Sequence, residues 1–259
     1  MPTAQINSPS RPHTARGLLG IHRALPKRKI IKSRAPVESM APAQFLLLLS
    51  ILAAFSAQIA RGDADPFQDF CVADVNSTIK VNGFVCLPSA AVTPDHFSSN
   101  ALAKPGNTSN KLGSAVTTAN AARFPGLNTL GVSSARVDYA PGGLNPPHVH
   151  PRATELLFLV EGKLYVGFVT TAPDNKLFAK TISAGESFVF PKGLIHFQLN
   201  VGDSPAFGLA AFGSQNAGAS QVAKAVFASM PAIEDAVLEI AFQVDNGEIK
   251  HLKEVISKT

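Results

Sequence analysis

Between residues 129 and 212 the chain alternates short apolar runs with turn-forming clusters. Runs at 129–139, 148–150, 156–160, 164–170, 177–182, 187–190, 195–200 and 206–212 have the length of strands. Pro141-Gly142-Gly143, Glu161-Gly162, Pro173-Asp174-Asn175, Ala184-Gly185 and Gly202-Asp203 separate them. Many short strands with Gly and Pro turns predict a sandwich or barrel. A closed or double-sheet arrangement also protects strand edges. Phe188, Phe190 and Phe197 are assigned to its core. After Gly218 the period changes. The Ala-rich stretch 220–229 lacks turn residues, 231–242 places Ile233, Val237 and Ile240 on one helical face, and 248–257 repeats this with Ile249, Leu252 and Ile256. The expected class is all-β with C-terminal α-helices.

The region before the strands divides in three. Residues 1–39 are polar and basic without apolar periodicity, so no stable fold is expected there. An apolar run at 45–57 is too short to span a bilayer comfortably and matches the core of a signal peptide. Residues 40–62 are therefore read as a signal peptide with Met40 as the functional start. Ala60-Arg61-Gly62 is the expected cleavage site, with Ala64 an alternative. Residues 63–259 form the single expected domain, and no stable membrane insertion follows signal removal. From 87 to 128 Pro, Gly, Ser, Thr and Asn dominate, which predicts an irregular arm wrapping the barrel.

Charge sharpens this division. The formal net charge is +5. Residues 1–39 hold eight basic residues against Glu38 alone, leaving fifteen basic and seventeen acidic residues, or −2, in 40–259. The basic character belongs to the leader. No aromatic or helical recognition pattern accompanies it, so a processed or extraneous extension is favoured over nucleic-acid binding. Cys71 and Cys86 are the only cysteines, and in an exported chain they read as one disulfide. Asn76-Ser77-Thr78 and Asn107-Thr108-Ser109 are acceptor sequons for N-glycosylation.

The candidate chemistry lies at 142–200. His148 and His150 are two apart, so on an extended strand both side chains leave one face. Glu155 has the wrong parity for that face on an unbroken strand. Pro151 lies between and cannot donate a ladder hydrogen bond, which predicts a bend or bulge there that returns Glu155 to the histidines. His196 follows the turn Pro191-Lys192-Gly193 and must come from a strand packed beside the first pair. Three imidazoles and one carboxylate form a ligand set for a divalent ion. Zinc is satisfied by four such ligands, whereas a nitrogen and oxygen set with vacancies suits manganese or iron.

These residues make the chain resemble the germin and germin-like proteins of plants, within the cupin superfamily. The first motif is met by Gly142, His148, His150, Glu155 and Gly162, and the second by Gly185, Pro191, Gly193, His196 and Asn200. The segment 65–74 resembles the start of mature germins. The resemblance implies a jelly-roll barrel in which His148, His150, Glu155 and His196 bind Mn(II). It implies a Cys71–Cys86 disulfide and an extracellular, apoplastic or cell-wall location. It also implies C-terminal helices that pack between subunits of a hexamer, a trimer of dimers.

The functions implied differ in class. A redox Mn enzyme with an open position for a small anion is most simply a superoxide dismutase. Oxalate oxidation is the second enzymatic reading, and nucleotide-sugar hydrolysis a remoter one. A non-catalytic cell-wall, receptor-like or storage protein with a structural metal is the third. Oxalate-oxidising germins share two asparagines beside the metal. One is matched by Asn145, three residues before His148, while Ala135, ten residues earlier, stands at the other. Alanine offers no donor, which favours superoxide over oxalate. His13, His22, His96 and His251 lack a partner pattern and are assigned to the surface, as are Arg136, Arg152 and Lys192.

Overall fold

The computed structural model describes residues 68–81 and 83–258. The basic leader, the signal peptide at 40–62 and the proposed cleavage sites lie outside the described residues. The elements run β1 (Lys80–Val81), β2 (Gly83–Phe84), β3 (Ser114–Ala119), β4 (Ser133–Tyr139), β5 (Leu144–Val149) and β6 (Glu155–Glu161). They continue with β7 (Lys163–Val169), β8 (Leu177–Ser183), β9 (Ser187–Phe190), β10 (Ile195–Asn200), β11 (Ala206–Phe212) and β12 (Ser220–Gln221). Three helices follow: α1 (Val222–Phe227), α2 (Asp235–Phe242) and α3 (Asn246–Ser257).

Two antiparallel five-stranded sheets enclose the core. Their orders are β12-β5-β10-β7-β8 and β3-β4-β11-β6-β9. Alternate residues face inward, as the two-residue period of a strand requires. Leu157 and Leu159 from β6, Leu164 and Val166 from β7, Ile182 from β8 and Phe190 from β9 are all essentially solvent-free. The motif glycines serve the turns. Gly162 between β6 and β7 has φ 91°, and a Cβ there would lie 2.3 Å from that of Ala206. Only glycine fits.

The all-β fold with C-terminal helices agrees with the sequence. Several boundaries differ. The arm is not wholly irregular: β3 lies within it and forms an edge strand on β4. Its half-exposed sequence, Ser-Ala-Val-Thr-Thr-Ala, carries no clear alternation. The strand expected at 129–139 begins only at Ser133, because Thr129 has φ 70° and breaks the extended run. Helix α2 starts at Asp235, so Ile233 precedes it, and Val237 and Ile240 of its apolar stripe are exposed. Leu238 is the residue it buries. Phe190 is core, and Phe188 packs against it. Phe197 is not: it lies on the outer face of β10 against Tyr165, ring centroids 5.5 Å apart.

The segment leading into the arm is closed covalently and pinned by one amide. Cys71 and Cys86 form the expected disulfide. Asn128 is fully buried, accepts from the Phe84 N–H at 3.3 Å and donates to the Phe84 carbonyl at 2.9 Å. No helix among the described residues is long and apolar enough to cross a membrane.

Candidate metal centre

β5 and β10 supply two of the imidazoles from one sheet. His196 pairs with His148, but the next pair is Gln198 with Asn145, so two residues of β5 oppose one of β10. The extra residue falls in Pro146-Pro147, where neither nitrogen can donate to a ladder. The bulge restores Asn145 and His148 to the interior face despite their unequal parity. The expected bend at Pro151 is present as well, over Pro151-Arg152, so the bulge before His148 is a second irregularity that the sequence did not announce. After Val149 the strand ends, and the chain crosses to the other sheet. Glu155 opens β6 there and faces the histidines from the opposite wall.

The four side chains converge. His148, His150, Glu155 and His196 are all buried, and one donor atom from each lies within 4.8 Å of the others. Each imidazole is oriented by a main-chain carbonyl. Nδ1 lies 2.8 Å from the Pro146 oxygen in His148, 2.5 Å from the Gly218 oxygen in His150 and 2.8 Å from the Leu194 oxygen in His196. A carbonyl only accepts, so each Nδ1 carries the proton and each Nε2 keeps a free lone pair. Phe190 stacks on His196 at 4.5 Å, and Phe212 meets His150 edge-on at 4.8 Å.

The donor set therefore demands a cation. Glu155 Oε2 lies 2.9 Å from His150 Nε2 and 3.2 Å from His196 Nε2. A carboxylate and a neutral imidazole nitrogen are both acceptors, so a proton or a metal ion must lie between them. In the metal-free protein a proton fills this role. Burial disfavours the His150 imidazolium, but hydrogen bonds to Glu155 and the Gly218 carbonyl raise its pKa overall. Burial likewise works against the Glu155 carboxylate, yet bonds from His150 and His196 hold its pKa down at about 2. His148 is pushed down to about 4 by burial and by neighbouring His196. Three inward lone pairs and a carboxylate fit a divalent cation.

The site floors a cavity of about 310 Å³. Val116, Thr118, Ala135, Val137 and Asn145 wall it, with Arg123 also on the lining. Asn145 and Ala135 thus both border the metal cavity. Asn145 donates to Gln198 Oε1 at 2.7 Å. Gln198 is a site residue that the sequence reading missed. It is fully buried, and its Nε2 has no partner among the described residues. Its position two residues after His196 in a strand was the available signal.

The remaining assignments separate. Arg136 is largely covered: Nε donates to Asp138 Oδ1 at 2.9 Å and the guanidinium stands 3.9 Å over the Phe207 ring. It is structural, not a solvated surface charge. Arg152 is exposed but braces the site, donating to the Asn216 carbonyl at 2.7 Å beside Gly218. Gly218 has φ 68°, and a Cβ there would lie 2.7 Å from the guanidinium. His96 is half-buried and accepts from the Thr93 N–H at 3.0 Å, while Lys192 and His251 are exposed. Asn76 and Asn107 are exposed, as sugar attachment requires.

Comparison with known proteins gives a consistent result. Residues 100–250 match the Cupin family. The chain is 54% identical over 215 residues to germin-like protein 8-11 of Oryza sativa subsp. japonica, covering 83% of this chain and 96% of that protein. Among solved structures, recombinant oxalate oxidase in complex with glycolate matches with TM-score 0.74 and 47% identity, covering 76% of this chain and 98% of the other. Peruvianin-I, described as a cysteine peptidase from Thevetia peruviana latex, matches with TM-score 0.60 and 39% identity, covering 62% and 98%.

Proposed function

This chain belongs to the germin-like proteins of the cupin family, and we propose that it is an exported Mn(II) oxidoreductase acting as a superoxide dismutase. The observation that carries this reading is the convergence of three imidazole Nε2 atoms and one buried carboxylate at the floor of an open cavity whose wall has Ala135. Mn(II) held by His148, His150, Glu155 and His196 would supply one-electron redox chemistry and an open position for a small anion. Two superoxide ions and two protons then give dioxygen and hydrogen peroxide. The protein's part is positioning. The carbonyls of Pro146, Leu194 and Gly218 fix the imidazole tautomers, and Phe190 and Phe212 restrict the rings.

Oxalate oxidation is the second reading. The 47% identical oxalate oxidase and the presence of Asn145 favour it. Against it, Ala135 presents no donor, and one of the two Asn145 amide N–H groups already serves Gln198. One missing hydrogen bond to a charged carboxylate costs about 1.5–3 kcal/mol, roughly tenfold to hundredfold in rate. Superoxide needs only the metal position and is indifferent to that loss. A thiol peptidase reading has no support, because both cysteines are bonded to each other.

The same reading includes a mature chain starting near residues 63–65, sugar on Asn76 and Asn107, secretion to the apoplast or cell wall, and assembly as a trimer of dimers. The exposed Val237 and Ile240 of α2 support burial between subunits. Paired superoxide and oxalate assays on Mn-loaded protein and on Ala135→Asn test the activity. Dismutase activity with weak oxalate turnover is expected, with oxalate turnover rising in Ala135→Asn. Strong oxalate oxidation by the unmodified protein would overturn the preference. No superoxide activity at full Mn loading would favour a non-catalytic, structural metal.

A further inference from the structure

Among the described residues, Arg123 is the single arginine or lysine lining the metal cavity, whose one carboxylate is the ligand Glu155. It sits just beyond the end of β3, the strand that contributes Val116 and Thr118 to the same wall. Its backbone is fixed: the Arg123 and Phe124 N–H groups both donate to the Asn120 carbonyl, at 2.9 and 2.7 Å. Asn120 is itself held in a turn by its Oδ1, which accepts from the Ala122 N–H at 3.2 Å. The guanidinium has no hydrogen-bond or ion-pair partner among the described residues. The same side chain lines a second, shallow groove with Asp95, His96, Ser98 and Ser99, and Asp95 is not close enough to form an ion pair. A rigidly anchored, uncommitted and exposed cation thus faces both solvent and the cavity.

We propose that Arg123 is the anion-recognition residue of this site, capturing small anions at the mouth of the cavity and pairing with a carboxylate through its guanidinium. The proposal rests on the metal-site reading above. The physical reason is field focusing. A charge at the rim of a cleft with mostly apolar walls acts through low dielectric and raises the local concentration of the opposite charge. The walls here are Val116, Ala135, Val137 and Phe212. The Arg fork also pairs with a carboxylate through two parallel N–H donors. The ligand class is a small anion, either superoxide or a short carboxylate.

The test uses Mn-loaded full-length mature protein with Arg123→Lys, Arg123→Gln and Arg123→Glu. Lys104→Gln, an exposed lysine that does not line the cavity, controls for net charge. Glycolate affinity by calorimetry is one arm, and the second-order superoxide rate by pulse radiolysis is the other. Arg123→Gln is expected to weaken at least one arm roughly threefold to tenfold at low salt, Arg123→Glu more, and Lys104→Gln negligibly. The differences are expected to shrink as salt shortens the screening length. Arg123→Lys is expected to retain superoxide capture but to lose glycolate affinity, since a lysine lacks the fork. Neither arm responding to Arg123→Glu would overturn the proposal. A protein with no dismutase activity whose glycolate affinity still falls in Arg123→Gln would refute the activity reading and leave the role of Arg123 standing.

Discussion

Strands β6 and β10 face each other across the barrel and build the same site by opposite rules. The inward residues of β6 are Glu155, Leu157 and Leu159, one ligand followed by hydrocarbon. The inward residues of β10 are His196, Gln198 and Asn200, all polar and all buried. On β10 the apolar residues Ile195, Phe197 and Leu199 point outward. One strand follows the hydrophobic pattern and the other inverts it. The inversion is tolerated because the polar interior is bonded, with Gln198 Nε2 the exception among these three side chains. His196 Nδ1 donates to Leu194, and Gln198 accepts from Asn145. Asn200 donates to the Ala140 and Ser204 carbonyls at 2.9 and 2.8 Å, and accepts from the Gly202 N–H. The lesson is that β6 supplies cohesion while β10 supplies alignment.

The contrast can be broken most severely at the ligands. His150→Ala is expected to abolish stable Mn binding, because it removes the nitrogen 2.9 Å from Glu155. Elemental analysis after gel filtration measures this, and full occupancy in the variant would refute the assignment. Acid does the same reversibly. A proton competes with the metal for His150, whose pKa is raised, so affinity falls as pH drops through that raised value. The fall in affinity is expected to set in above the ordinary histidine value of about 6.5. Glu155, held at about 2, stays charged throughout. A metal titration from pH 8 to 5 checks the sign; affinity that rises on acidification would contradict it.

Smaller effects sharpen the division between the strands. Leu157→Ala on β6 empties a solvent-free position and is expected to cost about 2–5 kcal/mol. Asn200→Leu on β10 makes the interior more apolar yet is expected to cost about 1–3 kcal/mol, because buried carbonyls lose their donor. Leu199→Ala, on the half-exposed outer face of β10, is expected to cost least. Denaturant unfolding of the metal-free proteins ranks the three. A stabilised Asn200→Leu would show that the polar spine is not structural.

Legibility in the sequence followed the same division. Strands such as β9, β10 and β11 coincide with their apolar runs, since turn residues bound them on both sides. The four convergent residues were legible because residue types and spacing announce ligand chemistry. How they converge was not. The bulge at Pro146-Pro147 depends on pairing with β10, and the carbonyl orienting His150 comes from Gly218, 68 residues away. Phe197 was misassigned because hydropathy alone places it inward, whereas the ligand parity of His196 places it outward. The edge strand β3 has too little alternation to announce itself.

The most direct test of the centre is anomalous scattering from crystals, recorded on both sides of the manganese absorption edge. One peak per protomer is expected among His148, His150 and His196 Nε2 and the Glu155 carboxylate, present above the edge and absent below it. A peak elsewhere, or one unchanged across the edge, would contradict a manganese centre held by these four residues.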